Sequence, residues 1–302
     1  MVLNKNIKLI VNYIAGPVIM FFLFYTVISQ LHKQPNWKDS IHQMILAATG
    51  KEQWKLYCMF FLMVINWSLE TAKWKIALMP IQTVSFFRAL KAILAGTCIA
   101  SFTPNRVGEY LGRMLFVDSG NKVVSVAPTI LCSICQMLIT LIAGSVGLFL
   151  YQDVATVSPG AWLPSSLFKP AIIITVLAAF IFFLVYFGFD PLVRRVNKWL
   201  LKNNKSFFVP DNYSFQSLSL ILLLSVLRYL VFLLQYGLLF SLFGISLSGL
   251  QVFTGVSVMF VLMALVPTLT FLTDLGFRWA VGVQVFQVYT GNTAGILAVS
   301  LG

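Results

Sequence analysis

The densest group of chemically capable residues is Ser101-Phe-Thr-Pro-Asn-Arg-Val-Gly-Glu-Tyr-Leu-Gly-Arg113. Pro104 favours the end of one helix and fits the first turn of the next. In a helix that follows, Arg106 and Glu109 stand three apart and Glu109 and Arg113 four apart, which puts opposite charges on one face. Gly108 and Gly112 make a small-x-x-x-small face that admits a second helix at close range. Such a ladder beside a turn either faces a water-filled cavity, since facing lipid is costly, or belongs to a solvated interfacial loop. A second group is Thr270-Phe-Leu-Thr-Asp-Leu-Gly-Phe-Arg-Trp279, where Asp274 and Arg278 are four apart. Arg106-Val107-Gly108 and Asp274-Leu275-Gly276 match in shape with opposite charge, 168 residues apart. Interrupted apolar segments at corresponding places in two halves point to a midplane binding site of transporter type. Related halves meeting there would pair Arg106 with Asp274 and Glu109 with Arg278. Arg228 is a third feature, alone near the centre of an apolar run, with Gln235 seven residues on. It is either a structural ion-pair partner within a bundle or a cavity-facing cation for a lipid phosphate. Gln136 is a milder case of the same kind.

The elements that hold these residues follow from composition. Of 302 residues, 59% are apolar and only 10% are charged, against roughly 25% in a soluble domain. A soluble enzyme, a disordered chain and a disulfide scaffold are excluded. Continuous apolar runs also exclude a transmembrane β-barrel, whose strands alternate. The fold class is therefore all-α, a polytopic helical membrane bundle occupying 1–302 as one integral membrane domain. The net charge of +12 fits basic loops at anionic headgroups. No basic stretch carries the aromatic platform that nucleic acid would need.

Along the chain, Leu9 to His32 reads as an anchor helix rather than a cleaved signal. Lys5 and Lys8 before it place the N-terminus in the cytoplasm. Further apolar runs are Leu56–Leu69, Ala92–Asn105, Val123–Tyr151, Pro170–Gly188, about Tyr213–Phe243, Leu250–Pro267 and Gly276–Tyr289, the last two parted by a polar interruption at Thr273-Asp274. The 14-residue run at 92–105 is of a length more often re-entrant or buried than spanning, whereas Leu56–Leu69, equally short but flanked by Trp54, Trp67 and Trp74 and by lysines that can snorkel, reads as a spanning helix. The stretches 70–91 and 190–213 each carry a net charge of +3, and 152–169 carries one Asp and one Lys. The first two belong inside and the third outside. Both ends of 92–105 then lie on the cytoplasmic side, so that run dips in and returns. Interrupted or re-entrant half-helices are expected near 92–113 and 250–289, in a bundle of about eight segments. The 11 apolar residues Asn292–Gly302 are too few to span, and a chain truncated at its C-terminus is expected.

Pro104-Asn105-Arg106-Val107-Gly108-Glu109 resembles the Pro-Gly-Arg-x-Gly-Glu-like turn of the lysylphosphatidylglycerol synthase transmembrane family, also described as flippase-like membrane proteins. Gly276 and Arg278 match that family's later Pro-Gly-Gly-x-Gly-x-Arg-Glu motif, whose Pro-Gly-Gly is replaced here and whose Glu is Trp279. The resemblance implies about eight membrane segments and movement of lipid between leaflets. The soluble aminoacyl-transferase domain of the founding members has no room in this chain, so lipid aminoacylation is not implied.

The expected function is translocation of an anionic or phosphate-bearing lipid across the cytoplasmic (inner) membrane, with Arg106, Glu109, Arg113, Arg228, Asp274 and Arg278 as substrate-binding residues. The expected partners are membrane lipids, a homo-oligomer or a membrane partner, and no nucleic acid. No phosphate loop, histidine-rich metal cluster or nucleophile motif appears, so neither a cofactor nor enzyme activity is expected. Two alternatives are a membrane-embedded lipid-modifying transferase using Glu109 or Asp274 as base, and a non-catalytic membrane subunit.

Overall fold

A backbone surrounded by hydrocarbon must satisfy its own hydrogen bonds, and helices do this within one segment. The computed structural model describes residues 50, 52–101, 103, 106–157, 164–202, 213–265 and 271–301. Among them the elements are α1 (Gln53–Leu78), α2 (Phe86–Ala100), α3 (Gly108–Met114), α4 (Val126–Val157), α5 (Ser165–Phe187), α6 (Phe189–Lys202), α7 (Phe215–Leu242), α8 (Gly249–Leu265), α9 (Phe271–Phe286) and α10 (Thr293–Leu301). No strand occurs among the described residues. The anchor helix expected at Leu9–His32 lies outside them.

Among the described residues three helices are long and apolar enough to cross a membrane: most of α4, and the whole of α5 and α7. On α5 the side chains of Ile173, Ile174, Leu177, Phe180, Ile181 and Leu184 all point outward and are exposed. A contiguous apolar surface of this kind is abnormal in water and ordinary against lipid.

α4 is the spine of the bundle and packs against α5, α8, α7 and α1. One buried cluster joins Trp74 and Leu78 of α1, Ile93 of α2, Leu131 and Leu138 of α4, Tyr186 of α5 and Ile221 of α7. A second joins Leu148 and Tyr151 of α4, Phe240 of α7, Val256 of α8, Val285 and Phe286 of α9, and Ile296 of α10. The close passage of α8 along α4 rests on small residues. A Cβ on Gly147 would stand 2.7 Å from the Ser257 side chain.

Several boundaries differ from the sequence expectation. α1 runs 26 residues and does not stop at Leu69. Glu70 and Lys73 read locally as the end of an apolar run, but both are buried within the helix and paired with other segments. α2 begins at Phe86, six residues before the apolar run, because the Ser85 hydroxyl accepts the Arg88 backbone N–H and caps it. Thr273 and Asp274 fall inside α9 and do not divide two segments, since an acidic residue is well placed near a helix N-terminus. The basic stretch 190–202 forms a helix of its own, α6.

Candidate functional site

The site is built around a helical hairpin. α2 ends at Ala100, and α3 folds back along it. A Cβ on Gly108 would stand 2.5 Å from the Ile99 carbonyl oxygen, and one on Gly112 would stand 2.5 Å from the Gly96 Cα. The small-residue face read from the sequence is therefore the face that meets α2. Arg106 takes a left-handed backbone (φ 57°) at the bend. The Thr103 hydroxyl accepts the Gly108 N–H at 2.7 Å and closes the turn. Pro104 and Asn105 lie outside the described residues.

The hairpin delivers Glu109 and Arg113 to a buried set of charges. Arg113 pairs with Glu109 one helical turn earlier and reaches Glu70 of α1 at 2.9 Å. Glu70 also accepts from Lys73 at 2.6 Å and from Arg228 of α7 at 2.9 Å. Arg228 Nε donates to Asn66 Oδ1 at 2.9 Å, and Lys73 Nζ donates to Gln136 Oε1 of α4 at 3.4 Å. Trp74 stands beneath the Arg113 guanidinium, 5.9 Å from its ring centroid, and Phe232 faces Arg228 at 5.2 Å. Both contacts supply cation–π attraction in place of lost hydration.

Exposure varies steeply across this set. The Arg106 side chain is 67% exposed and stands 3.5 Å from Glu109, which is 17% exposed. Arg113 is 2% exposed and Glu70 6%, Lys73 is 1%, and Arg228 opens again to 19%. Cations and carboxylates alternate from surface to interior, Arg106–Glu109–Arg113–Glu70–Arg228, so each buried charge has an opposite neighbour. The compensation is incomplete. Arg113 Nε and Nη1 and Asn66 Nδ2 are buried without hydrogen-bond partners among the described residues. All three are donors. The interior is thus rich in cations and short of acceptors, which suits an anion.

Four of the six residues expected from sequence, Arg106, Glu109, Arg113 and Arg228, gather here. Arg228 is an ion-pair partner of Glu70, and its side chain is 19% exposed. The other two, Asp274 and Arg278, are carried by α9, which packs against α8 and α10. Arg278 is half-buried, and the Asp274 side chain, with its expected pairing to Arg106, lies outside the described residues. Glu109 gives its carboxylate to Arg113 and Arg106. The sequence reading missed Asn66, Glu70 and Lys73. Their spacing of i, i+4 and i+7 was the available signal, since it puts all three on one helical face.

No protein-family profile, curated protein or solved structure matches this chain.

The arrangement suits electrostatic binding better than proton chemistry. Glu70 is surrounded by three cations, and the cysteines beside it on α4, Cys132 and Cys135, are buried and unlinked.

Proposed function

We propose that this protein is a lipid translocase that moves an anionic or phosphate-bearing lipid across the cytoplasmic membrane. The observation that carries the reading is the acceptor-poor cationic interior, in which Arg113 keeps two buried donors unpartnered among helices built to meet lipid. Moving a charged headgroup through hydrocarbon is expensive, and fixed cations along the path lower that cost. The sequence resemblance to flippase-like membrane proteins supports the same reading.

In this proposal the bundle has about eight membrane segments, with α1 crossing and the α2–α3 hairpin entering and leaving on the cytoplasmic side. Arg106 and Glu109 stand at the mouth, Arg113 and Arg228 meet the phosphate within, and Arg278 and Asp274 line the other half of the path. The N-terminus and 190–213 are cytoplasmic, and 152–169 is external. Glu109, the described one of the two candidate bases, is held between Arg113 and Arg106 and is poorly placed to take a proton, which favours translocation over a transferase that uses it.

The test is reconstitution of the purified protein in liposomes holding a fluorescent anionic lipid, with loss of outer-leaflet signal read by dithionite quenching. Accelerated movement in wild type and none in Arg228→Gln is expected. Wild-type liposomes indistinguishable from protein-free ones would refute the proposal.

A further inference from the structure

The buried charge count around Glu70 narrows the ligand further, in an inference that rests on the lipid-binding reading above. Three cations, Lys73, Arg113 and Arg228, face two carboxylates, Glu70 and Glu109, with side-chain exposures between 1% and 19%. Arg106 is two-thirds exposed and is neutralised largely by solvent. Among the described residues the interior therefore carries one uncompensated positive charge. The unpartnered donors of Arg113 and Asn66 lie within the same set, and Arg113 and Asn66 are each bonded to a partner of Glu70 or to Glu70 itself.

We infer that the site around Arg113 and Arg228 binds a single monoanionic phosphodiester and selects it over a dianionic phosphomonoester and over a zwitterionic headgroup. One such group neutralises the charge counted among the described residues, and its oxygens accept from Arg113 Nε and Nη1, which no acceptor among those residues reaches. A dianion would leave a net negative charge beside Glu70 and Glu109. A zwitterion would bring an ammonium against Arg228. Both mismatches are costly where water does not screen them. Arg228 is the most exposed of the three cations and makes the first contact. Lys73 sets the charge balance without touching the ligand, as a positioning residue acting through Glu70.

The experiment measures binding to the full chain in detergent by native mass spectrometry. The probes are dihexanoyl phosphatidylglycerol as monoanion, dihexanoyl phosphatidic acid at pH 9 as dianion, dihexanoyl phosphatidylcholine as zwitterion, and dimethyl phosphate as the free phosphodiester. Wild type should prefer phosphatidylglycerol over both other lipids by about tenfold, the scale of one unit charge several ångströms away in a partly wet site. Dimethyl phosphate should compete with it if the phosphodiester alone is recognised, and its failure to compete would assign recognition to the lipid as a whole. Glu109→Gln raises the interior charge by one and should move the preference towards phosphatidic acid. Lys73→Met lowers it by one and should weaken all anion binding while the fold persists, because Glu70 keeps two arginines. Equal binding of the three lipids, or selectivity unchanged in both variants, overturns the inference. Lipid movement in liposomes without charge selectivity would sink the inference alone. Selective binding without movement would sink the translocase reading and leave the site standing.

Discussion

Glu70 and Arg228 are partners at 2.9 Å, yet their removal should have very unequal consequences. Glu70→Gln takes away the one carboxylate that Lys73, Arg113 and Arg228 share. Arg113 would retain Glu109, and Arg228 would retain the Asn66 oxygen. Lys73, 1% exposed, would be left with neutral acceptors alone, the Gln136 oxygen at 3.4 Å and the new amide oxygen at position 70. Removing one partner of a buried pair costs about 3–5 kcal/mol, and here the loss is felt at several cations at once. Arg228→Leu is different. Glu70 keeps Lys73 and Arg113, so no buried carboxylate is stranded. The Asn66 oxygen loses its donor, worth about 1–3 kcal/mol. Against this, leucine removes the desolvation cost of burying an arginine, which offsets much of what its ion pair contributes, so the net loss should be far smaller than for Glu70→Gln. Thermal unfolding in detergent, followed by size-exclusion chromatography, should rank Glu70→Gln far below both wild type and Arg228→Leu. The double variant should recover part of the Glu70→Gln loss, since it strands one cation fewer. An Arg228→Leu protein as damaged as Glu70→Gln, or strictly additive losses, would refute the view of Glu70 as the hub of the cluster.

Arg228→Leu should also insert and fold while losing lipid movement in liposomes; retained movement would remove Arg228 from the path. Gly112→Ala should destabilise by about 1–3 kcal/mol, because its Cβ meets Gly96 at 2.5 Å, whereas Gly120→Ala, with nothing within 4 Å, should be neutral in the same unfolding assay. Arg106→Gly should cost less than about 1 kcal/mol, since the exposed pair with Glu109 is weak and glycine relieves the left-handed backbone at φ 57°; a large loss would show a buried partner for that side chain. Single cysteines at Asn203 and Ser158, in a background lacking the native four, should label on intact cells with an impermeant thiol reagent at 158 and not at 203, and the reverse pattern would overturn the topology.

The sequence by itself determined the helical class, because continuous apolar runs leave a backbone in hydrocarbon no other way to bond itself. It also determined the local features at 96–113. Glu109 and Arg113 pair because residues four apart share a helical face, and α3 lies against α2 because Gly108 and Gly112 carry no side chain there. Arg228 was conspicuous because an isolated charge in an apolar run always needs a partner. The identity of that partner was a matter for the tertiary structure. Glu70 lies 43 residues from Arg113 and 158 from Arg228, and read locally, with Lys73 and Lys75 close by, it marks the end of an apolar run. Only the packing of α1 against α7, with the α2–α3 hairpin alongside, turns that apparent helix end into the interior of a 26-residue helix. Spacing along a chain fixes which residues share a face, but the charges brought to that face from other helices are fixed by packing.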